Sequence, residues 1–68
     1  MNACEAMRAI RAARGLTQKQ AAKKAGIDSG TIYRYERGET EPSQTIACSL
    51  ADAYGVTLDQ LAGREPLS

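Results

Sequence analysis

The sequence predicts an all-α fold, a single compact bundle of five short helices. Three observations carry that prediction. Residues suited to start a helix recur at intervals: Asn2 with Glu5, Thr17 with Gln20 and Thr57 with Gln60 have the spacing of a capping box, and Asp28 and Ser43 are further candidate caps. Glycines that can close a helix in a left-handed turn, Gly15, Gly26, Gly38, Gly55 and Gly63, follow each segment so opened. Between start and stop the apolar residues fall at helical spacing, and no stretch alternates with period two for long enough to form a strand.

The first helix is expected over residues 3–14, with Ala3, Met7 and Ile10 on its inner face. The second, 18–25, turns Ala21, Ala22 and Ala25 inward, and the third, 29–37, turns in Ile32 and Tyr35. A fourth at 44–54 contributes Ile46, Ala47, Leu50, Ala51 and Tyr54, and a short fifth occupies 58–62. Leu16, Ile27, Val56, Leu58 and Leu61 are expected to plug the corners. Sixty-eight residues suffice for one domain and no more, and a chain of this size buries only about 60% of its unfolded surface.

Net charge is only +1, yet its distribution is uneven. Residues 1–38 carry eight basic side chains against three acidic ones, a net +5, whereas residues 39–68 carry one against five, a net −4. A dipolar domain of this kind can turn its basic half to a polyanion. No apolar run approaches the ~20 residues that span a bilayer, so a cytoplasmic chain with no membrane contact is expected. Cys4 and Cys48 lie far apart and the chain has no histidine, so the reading is two reduced, half-buried thiols with neither zinc site nor cofactor. No catalytic constellation or phosphate loop is present. The domain is expected to be too small for a pocket of ~300 Å³, so neither an enzyme nor a small-molecule binder is expected.

The segment Thr17–Gly38, TQKQAAKKAGIDSGTIYRYERG, has the grammar of two helices crossing steeply over a short turn. Ala22 sits where two helices must approach closely. Gly26 follows four residues later at the turn, and Ile27, Ile32 and Tyr35 return at the spacing that packs the next helix on the first. Together with IRAARGLTQKQAAKKAG, GTIYRYERGETEP and IACSLADAYGVTLDQL, this resembles the Cro and phage-repressor (XRE-like) helix-turn-helix regulators along nearly the whole chain.

The resemblance implies a lambda-repressor-like domain with its helix-turn-helix in the second and third helices. It also implies a transcriptional regulator, commonly a repressor, that lays the third helix in the major groove of a two-half-site operator. Position by position it implies that Gln18 bonds a phosphate and braces the reading helix, and that Asp28, Ser29, Gly30, Thr31 and Arg34 face the groove. Arg34 is the side chain best shaped to read a guanine. Arg37 and Thr40 grip phosphate with the backbone near Gly38, Lys19 adds a phosphate contact, and Arg11 and Glu36 form a buried structural ion pair. Glu39 and Glu41 depart from the family, which often has basic residues there. Gly30 lies in the first turn of the reading helix, and close approach of DNA backbone or bases is the expected reason. A homodimer is expected through Leu58, Leu61 and the tail near Leu67. The rival reading is a protein-binding module of the same fold, an antitoxin or anti-repressor component, to which the acidic second half is suited.

Overall fold

The computed structural model describes residues 1–66, so Leu67 lies outside the described residues. It contains five helices, α1 (Ala3–Ala13), α2 (Gln18–Ala25), α3 (Ser29–Arg37), α4 (Gln44–Tyr54) and α5 (Leu58–Leu61), in an all-α bundle. Every expected cap is in place. Asn2, Thr17 and Thr57 close reciprocal capping boxes with Glu5, Gln20 and Gln60, and Asp28 and Ser43 accept the amides of Thr31 and Ile46.

The helix ends share one closure. A backbone N–H reaches back five residues in Leu16 to Arg11, Ile27 to Ala22, Glu39 to Arg34, Val56 to Ala51 and Arg64 to Asp59, which satisfies carbonyls the helix would leave free. At the turn between α2 and α3 this needs Gly26 at φ 75°, a conformation costly for any residue with a Cβ. Ile27, delivered by that turn, packs against the core. Helices α2 and α3 can therefore pack on each other with only Gly26, Ile27 and Asp28 between them.

The core gathers Met7 and Ile10 of α1, Ala21 and Ala22 of α2, Ile32 and Tyr35 of α3, Leu50, Ala51 and Tyr54 of α4, and Leu61 of α5. Helix α2 packs on both α3 and α4, while α1 lies against α3 and α5. Small residues on α2 suit that central place, since alanine lets neighbouring backbones approach. Ala6 is also buried, which widens the inner face of α1 beyond the expected Ala3, Met7 and Ile10.

Several expectations require correction. Leu58 does not plug a corner: it is 42% exposed, because the four-residue α5 turns only Leu61 into the core. Leu61, at 3% exposure, is in turn unavailable to an interface between copies. Cys4 is half-buried as expected, but Cys48 is exposed on α4; both thiols are free. A cleft of about 530 Å³ also opens where Ala3, Cys4 and Met7 face Tyr35, Ala47 and Leu58, larger than a domain of this size was expected to hold. It lies between α1, the end of α3, the loop that follows, α4 and α5. No described helix is long and apolar enough to cross a membrane.

Candidate nucleic-acid interface

Helix α3 has an inner and an outer face, and their chemistry differs. On the inner face Ile32 and Tyr35 enter the core, with Glu36 buried beside them. The Glu36 carboxylate accepts a bidentate pair from Arg11 of α1, Nε to Oε2 at 2.7 Å and Nη2 to Oε1 at 2.9 Å. Arg11 also donates from Nη1 to the Leu16 carbonyl at 2.9 Å, and Gln18 donates from Nε2 to Glu36 Oε1 at 3.2 Å. The side chains of Arg11 and Glu36 are 17% and 4% exposed. The hydrogen bond with Glu36, followed by its charge set against burial, holds the Arg11 pKa above its ordinary value. One carboxylate thus ties α3 to α1 and to the N-terminus of α2. The expected ion pair is present, and Gln18 joins it as a brace.

The outer face is built from Thr31, Tyr33, Arg34 and Arg37. Asp28 caps the helix, its Oδ1 accepting from the Thr31 amide at 2.6 Å and from the Thr31 hydroxyl at 2.8 Å. The same hydroxyl oxygen accepts from Arg34 Nη2 at 3.2 Å. The Thr31 hydroxyl bond first, then the Thr31 amide, with a further contribution from the Arg34 charge, holds the Asp28 carboxyl below the usual carboxylate range. Gly30 is exposed beside them, and a Cβ there would meet Asp28 Oδ1 at 3.4 Å and Arg34 Nη1 at 3.6 Å, ordinary contact distances. The fold alone therefore does not forbid a side chain at Gly30. Ser29 is half-buried, and Lys19 and Thr40 are exposed at the start of α2 and beyond the end of α3.

Tyr33 is a member of this surface that sequence reasoning passed over. It is 46% exposed, and its hydroxyl accepts from Arg37 Nη1 at 2.8 Å, with the guanidinium carbon 5.4 Å from the ring centre. That bond, ahead of the charge of Glu39, raises the Arg37 pKa. The signal was available: Tyr33 and Arg37 are four residues apart on a helix, where side chains meet. Arg14 was likewise unforeseen in its role. Its Nε donates to the Tyr54 carbonyl at 2.7 Å and supplies the C-terminal end of α4 with a cation. Two of the eight basic residues in the first half, Arg11 and Arg14, thus hold the fold together.

The chain matches the helix-turn-helix family over residues 7–61. It is 41% identical over 61 residues to the HTH-type transcriptional regulator DdrOP3 of Deinococcus deserti, covering 90% of this chain and 47% of that one. It is 35% identical over 54 residues to the HTH-type transcriptional regulator ImmR of Bacillus subtilis, covering 79% and 42%. The chain thus spans about half the length of these two relatives. Its fold superposes on that of the P22 c2 repressor, solved in complex with the synthetic operator 9T, with a TM-score of 0.89 and 28% identity over 96% of this chain and 98% of that one. Sequence match, helix order and the α2–α3 turn agree, and the chain belongs to the helix-turn-helix family.

Proposed function

We propose that this chain is a sequence-specific DNA-binding transcriptional regulator, a repressor acting in the cytoplasm, which inserts α3 in the major groove of an operator with two half-sites. The observation that carries this reading is the division of α3: the inner face is locked by Glu36 to two other helices, while the outer face offers Arg34, Tyr33 and Arg37 to solvent. A helix held rigidly with an exposed, hydrogen-bonding face is what groove insertion requires. The relatives' names as transcriptional regulators and the likeness to a repressor solved on its operator support it.

In this reading Arg34 presents its guanidinium fork to guanine O6 and N7, a pairing worth ~1 to 3 kcal/mol of discrimination. Asp28, Ser29, Gly30 and Thr31 lie along the groove. Gln18 gives one amide N–H to Glu36 and keeps the other for a phosphate, beside Lys19. Arg37 and Thr40 serve the phosphates at the far end of α3. Two copies set one DNA turn (~34 Å) apart multiply a weak single-site affinity, so the regulator acts as a homodimer. Of the expected interface residues, Leu58 is the one left exposed among those described. No enzymatic step, cofactor or small-molecule ligand enters.

The test is an anisotropy titration of random duplex at low and moderate salt. Affinity should fall steeply with salt, as counterion release by several Lys and Arg contacts demands. No binding at low salt would overturn the reading. It would favour a protein-binding module, for which the open cleft beside Leu58 and Glu41 is the supporting observation.

A further inference from the structure

Arg34 stands exposed on a long stem, and a free arginine of that kind samples many rotamers before it meets a base. The structure shows it held. Thr31 Oγ1 donates to Asp28 Oδ1 at 2.8 Å and accepts from Arg34 Nη2 at 3.2 Å. A hydroxyl has one proton, and because the carboxylate takes it, the remaining lone pairs face a donor. The chain of bonds therefore has a fixed direction, from carboxylate to hydroxyl to guanidinium. Asp28 is itself pinned, since the same oxygen accepts the Thr31 amide at 2.6 Å as the helix cap. Beneath this chain lies Gly30, whose missing side chain leaves a low saddle in the helix surface within contact distance of both Asp28 Oδ1 and Arg34 Nη1.

We propose that Asp28 and Thr31 are positioning residues for Arg34, laying its guanidinium back over the first turn of α3, above Gly30, and fixing the direction in which it meets a base edge. The inference rests on the DNA-reading proposal and deepens it. Thr31 occupies one N–H of the guanidinium and leaves the others for the base; among the described residues the Arg34 side chain has no other hydrogen-bond partner. An arginine already ordered loses less freedom per hydrogen bond made on docking, so the alignment sharpens discrimination at the base pair it reads. The acid at Asp28, which by itself would repel phosphate, acquires a role: it orients the hydroxyl and faces the cation it helps to aim.

The test compares the wild type with Thr31→Val, Thr31→Ser and Arg34→Ala. Bound sequences are selected from a random duplex pool with the wild type, and each variant is then titrated against the selected site, its single base-pair changes and random duplex. Thr31→Val removes the hydroxyl but keeps the shape and the capped amide. It should lose about tenfold in discrimination at the base pair whose preference Arg34→Ala abolishes, and far less at every other position. Thr31→Ser should restore that preference. Thermal melts accompany the titrations, and Thr31→Ala gives the same readout should the valine variant melt early. Unchanged discrimination in Thr31→Val, or an equal loss at every base pair, would overturn the proposal. A wild type that binds duplex but selects no sequence would instead remove the reading on which it rests, and the proposal with it.

Discussion

The two faces of α3 each carry a chain of hydrogen bonds that joins a carboxylate to an arginine, and the two chains serve different ends. The inner one, Gln18 and Arg11 on Glu36, is shielded from solvent and bidentate. The outer one, Asp28 through Thr31 to Arg34, is open to water at both ends, with Thr31 half-buried between them. Removing a partner from a buried pair strands a charge at low dielectric, whereas water takes over at an exposed one. The inner chain therefore sets whether α3 is held at all, and in the proposed reading the outer chain sets how Arg34 points once the helix is held. Identical functional groups become a strut on one side of a helix and an aiming device on the other.

Breaking the inner chain should have the largest effect. Glu36→Ala leaves Arg11 uncompensated beside the core and is expected to cost about 3 to 5 kcal/mol, a large share of the stability of a domain this size. Urea unfolding followed by helical circular dichroism measures it. A loss under about 1 kcal/mol would mean that solvent reaches the pair and that the two faces do not differ. Thr31→Val, by contrast, should cost about 1 kcal/mol or less, because Thr31 is only half-buried and water can take over the bonds its hydroxyl makes to Asp28 and Arg34.

Next in size is a pH effect on the same side of the molecule. Tyr54 is buried; desolvation first and the charge of Glu36 second, partly offset by Arg11, push its phenol from 10.0 up to about 12. The folded state thus keeps a proton that the unfolded chain releases at lower pH. The Tyr54 contribution is fully present below pH 10 and is lost as pH rises from there through about 12. The loss should reach about 1 to 2 kcal/mol, because a tenfold change in proton affinity is worth about 1.4 kcal/mol and nearby solvent screens part of it. Urea midpoints on either side of that window, for the wild type and Tyr54→Phe, measure it: the phenylalanine variant should lose less on the alkaline side. Parallel curves would show that the phenol titrates as if exposed.

What the sequence revealed and what it concealed follow the range of the interactions. Caps and stops were legible because Asn2 and Glu5, Thr17 and Gln20, or Gly26 and Ile27 act within one turn of chain. The pair Arg11–Glu36, 25 residues apart, was readable only through the family resemblance. Arg14 was not readable at all, because its partner is a backbone carbonyl 40 residues away and carbonyls leave no mark in a sequence. Leu58 and Leu61 were confused because a four-residue helix has too few positions to define an inner face. Tyr33 was passed over because aromatic residues are usually read as core, as Tyr35 and Tyr54 are here and Tyr33 is not. The cleft was invisible since it belongs to no element but to the gap between several.

A smaller change tests the outer face without altering its charges. Glycine in a helix costs up to about 1 kcal/mol relative to alanine, and a Cβ at Gly30 would make only ordinary contacts. Gly30→Ala should therefore raise the urea midpoint while weakening binding to the selected operator, if the bare backbone is what lets DNA approach. Binding equal to or better than that of the wild type would remove close approach as the reason for Gly30.

The finest test concerns Tyr33 and Arg37, where the outer face meets the end of the helix. Both are exposed, so neither Tyr33→Phe nor Arg37→Ala should move the unfolding free energy by more than about 0.5 kcal/mol. Their effects on DNA should differ in kind. Arg37→Ala deletes a cation and should lower the slope of log affinity against log salt by about 1 for random duplex. Tyr33→Phe keeps the cation and removes only the hydroxyl that accepts Arg37 Nη1. The salt slope should then stay at the wild-type value while affinity falls a few-fold, the cost of ordering a freed arginine, roughly 1 kcal/mol per immobilised side chain. If Tyr33→Phe lowered the slope as well, Arg37 would need the tyrosine to reach phosphate at all. If neither variant altered binding, the end of α3 would lie clear of the duplex, and recognition would rest on its first two turns, where Arg34 is held.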